Sequence, residues 1–174
     1  MPEKRTIVDT EETKPFVIFR FGDDEFGVDV MNIKEIAKIT TITRVPHSPD
    51  FIEGLINLRG SLVTVINLRK RFIFEPKKID EDSRIIIAEL EDKPVGILVD
   101  AATEVSRIPV SDIEATPEMV TTEISKEYLK GVGKVGDRLI ILLDLKQVLT
   151  KKEIEEIKEF EKQKEEEEEE KWKR

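Results

Sequence analysis

His47 is the sole histidine of the 174-residue chain. Any nucleophile–base pair would have to run through it, because a serine or threonine hydroxyl attacks only when a neighbouring base takes its proton. It stands between prolines, in Val45-Pro46-His47-Ser48-Pro49, and the sequence places no acid to orient its ring, so it reads as a solvated loop residue. With no cysteine, thiolate nucleophiles, disulfides and Cys-held metals are excluded together. The carboxylates lack the alternating Asp spacing of a calcium loop, and no metal site is expected. Lys130-Gly131-Val132-Gly133-Lys134 suggests a phosphate cradle at first sight. That loop needs four residues between its glycines and a Lys followed by Ser or Thr opening a helix, whereas here Val135 follows. Asp23/Asp24 and Glu91/Asp92 are carboxylate pairs in turn sequences, where solvation explains them better than acid–base work. No catalytic residue, metal or cofactor is expected.

Binding is the role that remains, so the next question is what would position a binding surface. Hydrophobic and charged residues each make up 39% of the sequence, which supports one compact core beneath a highly charged surface. A net charge of −9 opposes the basic footprint of a nucleic-acid or anionic-membrane binder. Proteins are therefore the expected partners. No apolar run approaches the roughly 20 residues of a bilayer span, and residues 1–14 lack the hydrophobic stretch of a signal peptide, which points to a cytoplasmic protein without membrane insertion.

Residues 16–21 (FVIFRF) and 25–30 (EFGVDV) flank the turn Gly22-Asp23-Asp24 and predict a hairpin. Further strands are expected at 39–45, 55–58, 62–66, 84–90, 95–99, 132–135 and 138–143. Short helices are expected at 67–72 and 144–149, each opening on an Asn or Asp that can cap free backbone N–H groups. Thr150-Lys151-Lys152-Glu153 fits a capping box and starts a helix with Ile154, Ile157 and Phe160 on one face. Past Phe160 the sequence is EKQKEEEEEEKWKR. Its successive glutamates repel, so that stretch is expected to project or fray. The organisation predicted is a flexible N-terminus over 1–14, a folded body over 15–149 and a charged helix or tail over 150–174.

The chain also resembles itself. Residues 51–69 (FIEGLINLRGSLVTVINLR) superpose without gaps on 128–146 (YLKGVGKVGDRLIILLDLK), matching aromatic, strand and Asn/Asp cap positions as well as Gly54 with Gly131. GVDVMNIKEI from Gly27 matches GILVDAATEV from Gly96, which places Glu35 and Glu104 at equal distances from their glycines. Two matches in the same order predict a duplicated unit: two small β-barrels, each finished by a strand and a capped helical turn.

FIEGLINLRG, residues 51–60, is the most distinctive string, with Asn57-Leu58-Arg59-Gly60 turning one strand into the next. Extended to Pro49 and Arg69, it resembles the signature of the CheW family of chemotaxis coupling proteins, which reads close to PxFIxGVxNLRGxIxPVxDLR. The resemblance also covers GDDEFGVDVMNIKEI, residues 95–100 and EYLKGVGKVGDRLIILLDLKQVL. Departures are Thr64 where the family often has proline, Asn67 where aspartate is usual, and the long charged tail; the first two read as conservative.

The resemblance implies a mainly β fold of two five-stranded SH3-like barrels, pseudo-repeated, with short helices and a C-terminal charged helix. It implies a non-enzymatic adaptor that bridges chemoreceptor cytoplasmic tips to the regulatory domain of the histidine kinase CheA and helps assemble signalling arrays, monomeric in isolation. By the same resemblance, Ile33, Glu35, Arg59, Val99, Ala102 and Val105 fall at receptor-binding positions. Ile42, Val45, Ile52, Glu53 and Gly54 fall at a kinase contact, and Glu118 and Met119 at a second kinase contact that closes rings. The apolar members of these sets read equally well as core, except Met119, which beside an acid would be unusual there.

Overall fold

Ile85, Ile86, Ile87 and Ala88 are consecutive apolar residues. Successive side chains of a strand point to opposite faces, so a strand carrying such a run has to be dry on both. The structure, a computed structural model that describes residues 12–72, 74–117 and 126–173, is built around two such strands. In β6 (Arg84–Leu90), Ile85 and Ile87 join one apolar cluster while Ile86, Ala88 and Leu90 join another. In β1 (Thr13–Phe21), Phe16 and Ile18 face one way and Val17, Phe19 and Phe21 the other.

The remaining elements are β2 (Asp24–Asp29), β3 (Ile33–Lys38), β4 (Ile52–Leu58), β5 (Ser61–Asn67), α1 (Leu68–Arg71), β7 (Lys93–Val99), β8 (Ala101–Pro109), β9 (Ile113–Glu114), β10 (Leu129–Val135), β11 (Arg138–Leu143), α2 (Leu145–Val148) and α3 (Lys151–Lys173). They make a six-stranded sheet in the order β8-β1-β2-β11-β10-β9 and a five-stranded sheet in the order β3-β6-β7-β5-β4. Each sheet has a small interior cluster of its own. The largest cluster lies between the sheets, where Phe19, Phe26 and Phe72 meet the apolar face of β6 and β7 and the side chains of Leu145, Ile154 and Ile157. Phe19 and Phe26 stack with ring centroids 5.9 Å apart, and Phe26 and Phe72 at 6.3 Å.

The duplication predicted from the sequence is present in the ladder. Without the two-residue β9, the six-stranded sheet has the strand types and pairing senses of the other, β8-β1-β2-β11-β10 beside β3-β6-β7-β5-β4. Val65 pairs with Gly96 as Leu142 pairs with Gly27. The Asn67 N–H donates to the Phe51 carbonyl at 2.7 Å, and the Asp144 N–H to the Tyr128 carbonyl at 2.8 Å. Asn67 and Asp144 then cap α1 and α2 by accepting from the N–H two residues on, each at 3.0 Å. The five-stranded unit is one continuous piece of chain, residues 33–99, whereas the other is not, because the N-terminal hairpin β1–β2 completes the sheet built by the C-terminal half.

Several expectations differ from the outcome. The strand expected at 39–45 is irregular apart from one bridge between Thr43 and Leu55, and the edge strand is β3, formed by IKEIAK. Its charges suit an edge that must not recruit another chain, yet they also mask it, since they give the segment a helical spacing. The second edge strand, β8, is hidden for the same reason by Thr103, Glu104, Ser106 and Arg107. Thr13 and Lys14, assigned to the flexible N-terminus, pair with Pro109 and Ile108 in β1, while residues 1–11 lie outside the described residues. The C-terminal helix starts with the predicted capping box, Thr150 N–H to Glu153 at 2.9 Å and Glu153 N–H to the Thr150 hydroxyl at 3.1 Å. It neither frays nor stops at Phe160 but continues to Lys173.

Asp100 ties the two sheets at the corner between β7 and β8. Its carboxylate accepts from the Gly22 N–H at 2.7 Å and from Arg69 Nε at 3.1 Å. Burial pushes the Asp100 carboxyl up, but the Arg69 guanidinium and the Gly22 N–H outweigh it and hold it below its ordinary value of 3.8. A depressed carboxylate contributes stability that is present above the unfolded value and lost as pH falls through the folded one. Acid titration of stability should therefore fall below about pH 4, and Asp100→Asn should flatten that limb in urea titrations run across pH. A Cβ at Gly54 would stand 2.4 Å from the Thr43 carbonyl oxygen and one at Gly131 2.6 Å from that of Glu114. Gly54→Ala and Gly131→Ala should each lose about 1–3 kcal/mol in urea unfolding.

Candidate functional site

Directly paired residues of antiparallel strands share a face. Ile33 pairs with Ala88 and Ile36 with Ile86, so both lie on the face the five-stranded sheet turns to the inter-sheet core. On the other sheet, Ala102 pairs with Phe19 and Val105 with Val17, again on the inter-sheet face. β3 and β8 are edge strands, so these side chains continue the core outward to where nothing covers them. Ile33 and Ala102 are half-buried, Ile36 is exposed, and Val105 is 61% exposed. Apolar side chains held in the open on rigid strands are a docking surface in the physical sense.

The other face of β3 carries a charge pair, since Glu35 pairs with Ile87 of the sheet's own interior. Arg59 and Gly60 form the two-residue turn between β4 and β5, both at positive φ, 51° and 91°. Asn57 steadies the turn by accepting from the Gly60 N–H at 2.8 Å. The Arg59 guanidinium reaches Glu35 on β3 in a bidentate pair, Nη1 to Oε1 at 3.2 Å and Nη2 to Oε2. The hydrogen bond from Arg59 holds the Glu35 carboxyl below its usual range, and Glu35 raises Arg59 in return.

The duplicated half supplies a control for this pair. Glu104, the counterpart of Glu35, also meets an arginine, but that arginine is Arg138, which bonds Glu25 as well, Nε to Oε1 at 2.9 Å. The turn position corresponding to Arg59 is Gly136, at φ 60°. One copy therefore uses glycine at the strained position and pins its arginine between two carboxylates. The other holds an arginine side chain, 71% exposed and paired once, on a backbone conformation that disfavours any residue with a Cβ.

Other predicted positions fall elsewhere. Val99, expected on the receptor groove, is 1% exposed in the inter-sheet core and offers no surface, because β7 is a central strand. Ile52 belongs to the same core, and Gly54 is buried against the segment that leads into β4. Ile42 is half-buried against the interior of the five-stranded sheet, and Val45 is buried at the surface cleft described below. Glu53 accepts from Asn67 Nδ2 at 3.0 Å and lies 4.0 Å from Lys70, so it supports α1. Glu118 and Met119 lie outside the described residues. His47 is exposed in a turn at φ 65°. Among the described residues no group of His, Asp and Glu is placed to hold a metal ion, and no helix is long and apolar enough to cross a membrane.

Two surface residues escaped the sequence reading. Ile36 was hidden because β3 was not foreseen, and Met31, 85% exposed in the turn before β3, carries no local sign of exposure. Met31 borders a cleft of about 650 Å³ closed by Leu90, Tyr128 and Ile154.

Comparison with known proteins places this geometry among relatives. The CheW-like domain family matches residues 15–153. The chain is 36% identical over 139 residues to the chemotaxis protein CheW of Klebsiella aerogenes, covering 80% of this chain and 83% of that one. It is 37% identical over 137 residues to CheW of Bacillus subtilis, with 78% and 86% covered. The crystal structure of a CheW scaffolding protein from Thermoanaerobacter tengcongensis is similar with a TM-score of 0.73 at 37% identity, covering 80% of this chain and 89% of that one.

The contrast between the two arginines predicts opposite stability effects. Arg59→Gly should leave the urea midpoint unchanged or raise it, since glycine takes positive φ freely. Arg138→Ala should lower stability by about 1 kcal/mol or less, the range of exposed ion pairs.

Proposed function

The chain belongs to the CheW family of non-catalytic chemotaxis scaffold proteins, and from that premise we propose that it couples chemoreceptor cytoplasmic tips to the regulatory domain of the histidine kinase CheA. The observation that carries this reading is the uncovered apolar continuation of the inter-sheet core along both edge strands, with the Arg59–Glu35 pair on the other face of β3. A receptor tip is a helical hairpin. An amphipathic helix binds by laying spaced apolar anchors into such a surface and by matching the charges at its rim. In this reading Ile33, Ala102 and Val105 accept the anchors, joined by Ile36, and Glu35 and Arg59 fix the register. Val99 acts only from behind, as core.

The kinase contact is proposed on the five-stranded sheet, around Val45 and the half-buried Ile42, with Ile52, Glu53 and Gly54 shaping the support beneath it. Glu118 and Met119 are proposed for the second kinase contact that closes ring assemblies. The body would span 15–149, and the protein would be a cytoplasmic monomer in isolation, recruited to receptor arrays. Each contact can be weak, because a lattice engages several at once and raises the effective concentration of the next.

Calorimetry with the isolated regulatory domain of the cognate CheA should give one-to-one binding. No heat at about 100 μM, equivalent to weaker than about −5.5 kcal/mol, overturns the assignment. Val105→Glu and Arg59→Gly should each cut receptor-dependent kinase stimulation at least tenfold in reconstituted arrays while leaving the CheA affinity unchanged. Equal losses of both would place these residues in the fold instead.

A further inference from the structure

Glu161 is one of three polar or charged residues found buried among the described residues, and it stands well past the point where the family match ends at residue 153. Its carboxylate reaches from α3 to the five-stranded sheet. Oε1 accepts from the Thr64 N–H at 3.2 Å and from the Thr64 hydroxyl at 2.9 Å, and Oε2 meets the Lys93 ammonium. Thr64 is one of two positions where this chain departs from the family motif, which often has proline there. Proline has neither an N–H nor a hydroxyl to offer. The departure in the barrel and the added helix thus meet in one contact, and each makes sense of the other.

From this we infer that α3 is a latched cover on the five-stranded sheet, gating the surface around Val45 and Leu62 through which the kinase domain binds. The inference rests on the function proposed above. Ile154 and Ile157 anchor the first turns in the core, Glu161 latches the middle, and from Glu165 to Trp172 every side chain is exposed. Beyond the latch, Lys164, Glu167 and Lys171 form one wall of a cleft of about 330 Å³ whose other wall includes Val45, Leu55 and Leu62. A partner approaching Val45 meets this wall.

The cover is poised to open. A buried carboxylate loses most of its attraction for Lys93 to the cost of leaving water, so the latch adds little net stability. The distal turns gain nothing from packing, and their six consecutive glutamates, 165–170, repel at helical spacings. The pseudo-repeat shows the face without a cover: Leu139, the counterpart of Leu62, is 61% exposed. Displacing α3 beyond Ile157 would present the matching face of the five-stranded sheet in the same way, as an apolar shelf suited to a second barrel of this fold.

Full-length chains carrying Glu161→Ala, and separately Thr64→Val, are compared with the parent by calorimetry against the CheA regulatory domain. Hydrogen exchange at the Thr64 amide reports whether the latch has opened. The expected result is faster exchange at Thr64 together with at least fivefold tighter kinase binding for Glu161→Ala, and a smaller change in the same direction for Thr64→Val. Equal affinities with faster exchange overturn the gating. Weaker binding also overturns it, because the helix would then be part of the contact. If Glu161→Ala alone loses the fold, the Thr64→Val comparison decides. Failure of parent and variants alike to bind removes the adaptor reading and the gating with it, a pattern distinct from equal binding by all.

Discussion

Two strands that are wet on neither face organise this protein. β1 and β6 each put one row of side chains into the interior of their own sheet and the alternate row into the core between the sheets. Because both rows must be covered, the sheets cannot separate without exposing the largest apolar cluster of the chain, and the short helices and the first turns of α3 are drawn in to seal it. The cost of the arrangement appears at the edges. β3 and β8 share the inter-sheet face but lack a neighbour, and the core runs out into solvent along them as Ile36 and Val105. An exposed apolar surface is thus a by-product of how the core is closed.

The same plan occurs twice, and the two copies agree at some positions and differ at others. Where the copies agree, the reason is packing or satisfaction of the backbone: Gly54 and Gly131 pass close to a facing carbonyl, and Asn67 and Asp144 cap their helices. Where they differ, the partners of the side chain differ. Arg59 replaces glycine on a strained turn while Arg138 is tied to two carboxylates. Thr64 stands opposite a helix while its counterpart Ile141 is half-buried against the core. Comparison of the halves therefore works as an internal control that a single unrepeated fold would not provide.

The tail shows how local and tertiary terms compete. Charge repulsion argues against order past Phe160, whereas Glu and Lys are good helix formers and can pair at helical spacing, as Lys164 does with Glu167 at 3.1 Å. The helix also makes a contact 97 residues away in sequence, Glu161 on Thr64. The sequence marks both residues only as departures: one as a conservative change in a motif, the other as part of an acidic run.

The amino-acid sequence by itself determined most of the strands, the repeat and its register, the helix caps, the FIEGLINLRG turn and the family these imply. Each of these is written in neighbouring residues or in the match of one segment to another. Only the tertiary structure decided that Val99 is core and Val105 is surface, though both are apolar residues expected on one groove, because exposure depends on whether a strand is central or at an edge. It alone showed β3 and β8 to be strands, since edge strands carry the charges that make a sequence look unlike one. It alone found the partner of Glu161. Burial and long-range pairing are properties of which elements meet, and that is settled by the closing of the shared core.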